Sequence, residues 1–152
     1  VKHTIVDKAR MLRGVPLLSE VSTEVLADLA ALSSVEQHPA GTVLYRTGEP
    51  ATAFYIVIEG EVRTAPDGDD GICVGPGGEL GALAVLDERP RAVTAETTTA
   101  SVLLRISAED FLYLLEQHPR LARGVIRYLA REARASLAVR RRYGGDLTGP
   151  VR

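Results

Sequence analysis

Sulfur and indole are scarce in these 152 residues: one cysteine, one methionine and no tryptophan. With Cys73 alone, no internal disulfide and no cysteine-rich zinc site can form, which fits a reducing compartment. The three histidines, His3, His38 and His118, are dispersed with no H-x-H spacing, so nothing points to a histidine-clustered metal centre. Neither sign of charge dominates. Eighteen basic against twenty acidic residues leave −2, which removes any global attraction to nucleic acid or anionic membrane. No apolar run approaches the ~20 residues of a membrane-spanning helix, and "AFYIVI" is far too short. The opening "VKHTIVDKARMLRG" lacks the apolar centre of a signal peptide. It also lacks an initiator Met, so a segment excised from a longer protein is expected. The expected setting is the cytoplasm, or the cytosolic part of a membrane protein. No "GxSxG" elbow and no paired carboxylates stand out, so catalysis is not expected.

What remains is an ordinary globular composition, 45% hydrophobic and 25% charged, in a chain long enough for one domain with a core. Its hydrophobic period changes twice. Residues 1–34 read as helical. In "STEVLADLAAL", Ser22 is a candidate N-cap and Val25, Leu26, Leu29 and Leu32 share a face. Gly14 and Pro16 break the segment before it into a helix and a kinked connection.

Residues 35–106 read as short strands parted by turns: "TVLYR", "FYIVIEG", "EVRTA", "ICV", "AVTAET" and "SVLLRI". Such spacing argues for a sandwich or barrel, most simply a jelly roll. "PDGDDG" holds three carboxylates but lacks the spacing of a calcium loop and reads as a solvated turn.

Residues 107–143 return to helix. Ser107 caps "SAEDFLYLLEQ", and Pro119 opens the next helix after His118. That helix carries an apolar stripe of Ala122, Ile126, Leu129, Ala133 and Leu137, opposite Arg123, Arg127, Arg131 and Arg134. Packing of the stripe on its own domain is the default expectation, with a dimer seam as the alternative. Arg140, Arg141 and Arg142 read as favourable charge at the helix end, or as a contact to acidic headgroups or a partner. Residues 144–152 read as a frayed tail.

The most informative stretch is "GGELGALAVLDERPRAVTA", from Gly77 to Ala95. Paired glycines let backbone amides converge, "LGALAVL" allows at most two helical turns, and Arg91 follows directly on Pro90. Free amides at a helix start, together with a guanidinium fork, suit a phosphate. An ordinary surface connection with an exposed arginine fits the same residues equally well.

"GTVLYRTGEPATAFYIVIEGEV" followed by "VGPGGELGALAVLDERPRAVTAET" resembles the cyclic nucleotide-binding domain, the module of protein kinase A regulatory subunits, cyclic-nucleotide-gated channels and the catabolite activator protein. Gly41, Gly48, Phe54, Tyr55, Gly60, Gly81, Pro90 and Arg91 fall in the family's register. The resemblance implies a mainly β fold: an eight-stranded antiparallel β-roll (a jelly roll, or double-stranded β-helix) with N-terminal helices and two C-terminal helices. It also implies a phosphate-binding cassette over residues 77–92. In that cassette Arg91 would grip the exocyclic phosphate, and Gly81 would let the backbone approach the sugar-phosphate. Val74, Leu80, Ala82, Leu83, Ala84 and Ala92 would complete the ligand-binding set.

The family's ribose-binding glutamate is replaced here by Ala82, so a hydrogen bond to a charged acceptor, about 1.5–3 kcal/mol, is missing. Glu79 is the nearest carboxylate. It is expected to be a solvated loop acid unless the loop turns it inward. Family members favouring cGMP often carry Thr at the position of Ala92, so alanine leans towards cAMP.

The resemblance thus implies a regulatory module binding cAMP or cGMP without a further cofactor. It would act on an effector domain of the same parent protein, bind no nucleic acid directly, and have its last helix available as a lid or homodimer seam. Two alternatives stay open. One is a degenerate domain that binds no nucleotide and serves interaction or oligomerisation. The other is a metal-free cupin-like sugar-binding or enzymatic domain.

Overall fold

A capping box starts the chain's first helix: the Thr4 hydroxyl accepts from the Asp7 amide while the Asp7 carboxylate accepts from the Thr4 amide, both at 3.1 Å. The computed structural model describes the backbone of residues 3–147 and side chains through residue 142. Helix α1 spans Ile5–Arg13 and α2 spans Thr23–Leu32, with a 3₁₀ turn over Pro16–Leu18 between them. This is the broken connection that Gly14 and Pro16 predict. Ser22 caps α2 through the Val25 amide, as expected.

Eight strands follow: β1 (Ser34–His38), β2 (Val43–Tyr45), β3 (Ala53–Glu59), β4 (Val62–Ala65), β5 (Ile72–Val74), β6 (Glu79–Leu80), β7 (Thr94–Thr97) and β8 (Ser101–Ser107). They form two four-stranded antiparallel sheets, ordered β1-β8-β3-β6 and β2-β7-β4-β5. This is the jelly roll. Strand β1 and the two-residue β6 are not legible as separate strands in the sequence. Glu79 and Leu80 read as loop until β3 supplies their partners, Ile56 and Tyr55.

Alternation along β3 divides the core. Phe54 and Ile56 face the helices with Leu104, Ile106, Leu29 and Phe111, while Tyr55 and Val57 face the roll interior with Tyr45, Leu80, Ala95 and Leu103. Phe54 and Phe111 meet edge to face at 4.9 Å between centroids, and this pair joins the roll to helix α4 (Ala108–Gln117). Ser107 caps α4 through the Asp110 amide, as its sequence indicates.

The last helix, α5, differs from expectation in two ways. It runs over Pro119–Leu147, so it passes through the boundary expected at residue 143 and the arginine triplet is not at its end. Residues 148–152 of the expected tail lie outside the described residues. Second, the face it buries centres on Leu121 and Val125, and the stripe read from the sequence is only partly covered: Leu129 packs against the core, whereas Ile126 is 63% exposed and Leu137 51%. Spacing alone could not choose between the two apolar sides. The choice is made where α5 passes beside Glu20 and Val21 at Gly124, and where Arg127 and Arg131 reach the Glu20 carboxylate at 3.8 and 2.6 Å.

Truncating Phe111 tests how far the roll and the helices form one cooperative core. Phe111→Ala should cost about 3–5 kcal/mol, because ring burial and the edge contact are lost together. A urea midpoint that falls with an unchanged slope would show this. An unchanged midpoint would mean that α4 is not part of the cooperative unit.

Candidate functional site

The short helix α3 spans Ala82–Leu86, and Gly81 caps it in the left-handed region at φ +85°. That conformation suits glycine because no Cβ meets the backbone. A second constraint acts here as well: a Cβ at Gly81 would overlap the Arg91 guanidinium, whose Nη1 donates to the Gly81 carbonyl at 2.9 Å. The glycine therefore serves both the turn and the arginine. Beyond α3 the chain turns at Glu88, also in the left-handed region at φ +54°, and the Arg89 amide reaches back to the Ala84 carbonyl.

Arg91 is only 4% exposed. Its Nη2 donates to the Ala53 carbonyl at the start of β3, and its Cζ lies 3.8 Å from the centre of the Tyr45 ring. Nε is buried without a partner. Among the described residues no carboxylate forms an ion pair with it. Burial pulls the guanidinium's pKa down, opposed by Tyr45, Tyr55, Glu79 and Glu49. Arginine stays charged even so, which leaves a desolvated cation with unused donor capacity. The same burial pushes the Tyr45 phenol up, against the opposing pull of Arg91.

Val74, Leu80, Gly81, Ala82, Leu83, Ala84, Arg91 and Ala92 all line one cleft of about 260 Å³. The structure thus brings together every residue of the expected set. It adds Tyr45, Thr64, Ile72 and Val93, which sequence reasoning does not assign to the site, and Glu79, which the sequence places in the cassette without a ligand contact. Alternation in "TVLYR" could have turned Tyr45 inward, but its contact with Arg91 has no sequence signal.

Glu79 corrects an expectation. It is not a solvated loop acid: β6 holds it at the cleft, where its Oε2 accepts from the Ala82 amide at a long 3.4 Å. Desolvation pushes its carboxyl up, against the Ala82 hydrogen bond and Arg91. The histidines stay apart: His38 pairs with Glu36 at 3.0 Å and His118 faces Asp28 at 3.7 Å. Among the described residues no group of three or more His, Cys, Asp or Glu converges on one point, and no helix is long and apolar enough to cross a membrane.

Two outcomes follow from this geometry. Gly81→Ala should lower stability by at least about 1–2 kcal/mol, the cost of a left-handed non-glycine residue, because Arg91 must also move. A midpoint within error of the wild type would show that the Gly81–Arg91 contact is not formed. For Glu79, the folded state disfavours the ionised form. Its contribution to stability is therefore complete below the ordinary glutamate value of 4.5 and is lost as pH rises through the raised value. Glu79→Gln should gain on the wild type across that window, and a pH-independent difference between the two would refute the burial of this carboxyl.

Comparisons with known proteins agree with the geometry. Residues 35–118 match the family model described as the cyclic nucleotide-binding domain. An uncharacterised NTE family protein of Mycobacterium tuberculosis is 34% identical over 131 residues, covering 86% of this chain and 22% of that protein. A cyclic nucleotide-gated potassium channel of Mesorhizobium japonicum is 30% identical over 129 residues, covering 85% of this chain and 36% of the channel. The chain therefore spans well under half the length of these relatives. Among solved structures, the N-terminal domain of a transcriptional regulator from Streptomyces coelicolor superposes with TM-score 0.73 at 30% identity, covering 83% of this chain and 94% of that one. The catabolite activator protein of Thermus thermophilus gives TM-score 0.67 at 28% identity, covering 82% and 61%. With its β-roll, its glycine-capped short helix and a buried arginine in the matched segment, this chain belongs to the cyclic nucleotide-binding domain family.

Proposed function

We propose that the cleft binds a cyclic nucleotide, cAMP in preference to cGMP, and that the domain regulates an effector part of the same parent protein. The observation that carries this reading is Arg91: a buried cation at the wall of a cleft that, among the described residues, has no ion pair and leaves its Nε unpartnered. A phosphate supplies both the missing charge and the missing acceptor. Ala92 supports the preference for adenine, since it offers no hydroxyl to guanine. The apolar lining from Val74, Leu80 and Val93 suits a purine and its sugar rather than a bare anion.

Regulation passes through α5. The helix is held to the body by Leu121, Val125 and the Glu20 contacts, and every residue from Ala130 to Arg142 is exposed. A ligand that binds one placement of α4 and α5 more tightly than another shifts the population between them. The exposed Ile126 and Leu137 then offer the adjoining effector, or a second copy of the chain, an apolar surface to sense.

Calorimetric titration separates this from the reading in which the domain binds no nucleotide. Heat and a thermal shift are expected with cAMP and a weaker response with cGMP. Arg91→Ala should weaken cAMP about tenfold to a hundredfold, as expected for loss of charge-assisted hydrogen bonds. No response to millimolar nucleotide, or an Arg91→Ala variant that binds unchanged, would overturn the proposal.

A further inference from the structure

Among the residues that line the cleft, Arg91 is the one cation and Glu79 the one acid, and they form no ion pair with each other. Arg91 asks for an anion. Glu79 asks for something else. An ionised carboxylate only accepts, and of its roughly four lone-pair sites the described residues fill one, through the long bond from the Ala82 amide. A phosphate oxygen cannot satisfy it. A second cation on the ligand would satisfy it but would sit beside the Arg91 charge. The group that suits both neighbours is a neutral donor carried next to an anion: a hydroxyl adjacent to a phosphate.

The position of the carboxylate strengthens this. Strand β6 pairs Glu79 with Ile56, two residues before Gly81, and its side chain reaches the backbone amide of Ala82. The acid thus arrives at the very residue whose own side chain stops at a methyl group. The Tyr128 phenol on α5 is pushed up chiefly by desolvation, with Glu132 and then Glu79 adding to the shift. The charged and titratable groups that share the cleft with Glu79 are Arg91 and Tyr45 on β2, with the Ala82 amide of α3 at its carboxylate; Tyr128 on α5 feels its charge more weakly.

We infer that Glu79 is the specificity-determining acceptor for the ligand's sugar hydroxyl, supplying from β6 the carboxylate that position 82 lacks; the inference rests on the nucleotide reading of the cleft. It predicts a nucleotide whose sugar hydroxyl is read from the strand side of the cleft.

The test compares cAMP with 2′-deoxy-cAMP by calorimetry on the wild type, Glu79→Gln and Glu79→Ala, with far-UV circular dichroism to confirm folding. The wild type should bind cAMP about tenfold or more tighter than its deoxy analogue, the worth of a hydrogen bond to a charged acceptor. Glu79→Ala should bind the two alike. Glu79→Gln, the same shape with a neutral acceptor, should fall between them, and it keeps the test decisive if the alanine variant is poorly folded. A wild type that does not distinguish the two nucleotides overturns the role of Glu79 and leaves the nucleotide reading intact, and so do folded variants that keep the full preference. A wild type that binds neither nucleotide overturns both.

Discussion

The organisation of this domain turns on one buried guanidinium. Arg91 brings a full positive charge into the roll with no carboxylate among the described residues paired to it, a costly arrangement unless its donors are met. The protein meets two of them with backbone carbonyls, of Gly81 and Ala53, and covers the cation with the Tyr45 ring. Three separate elements thereby acquire fixed positions: the cap of α3, the start of β3 and the end of β2. Gly81 is the clearest consequence, since a side chain there would overlap the guanidinium and the left-handed turn it makes suits glycine as well. Among the described residues the Nε–H has no partner, and under the proposed function that shortfall is what an anionic ligand would fill.

Glu79 is the counterpart of Arg91, not its partner. Were the two within ion-pair distance they would neutralise each other, and the cleft would offer a ligand little. Held apart, they make a site with one acidic and one basic wall lined otherwise by apolar residues. Desolvation acts on both in the expected senses, disfavouring each charged form, so both are poised to gain from a ligand that supplies complementary groups. Alanine at position 82 is therefore not simply a gap in the cleft. It leaves an apolar helix start against the core, with a carboxylate reaching the same amide from the preceding strand.

Charge is also unevenly divided between body and last helix. Between Pro119 and Arg142 stand eight arginines and one acid, Glu132, although the chain as a whole carries −2. Two of these arginines meet Glu20 and anchor the proximal part of α5, while the distal part carries its positive charge into solvent. The helix is thus held at its start against the 3₁₀ turn and α4 and stands clear of the body over its distal part. Exposed ion pairs are individually weak, so this anchor can be released at modest cost while Leu121 and Val125 keep the helix attached.

Much of this was legible because it is local. The turn residues and the alternation of "FYIVIEG" announce the roll, Ser22 and Ser107 announce helix starts, and the spacing from Gly81 to Arg91 announces a short helix closed by an arginine. These features depend on backbone preference and on neighbours a few residues away. The tertiary structure alone decided three others. It buried Arg91 beneath Tyr45 and against Ala53, some forty positions upstream. It turned Glu79 from a loop acid into a wall of the cleft by pairing it with Ile56. It chose Leu121 and Val125, not Ile126 and Leu137, as the buried side of α5. In each case the deciding contact joins segments distant in sequence, and neither periodicity nor spacing encodes which of two chemically similar surfaces a remote strand or helix will meet.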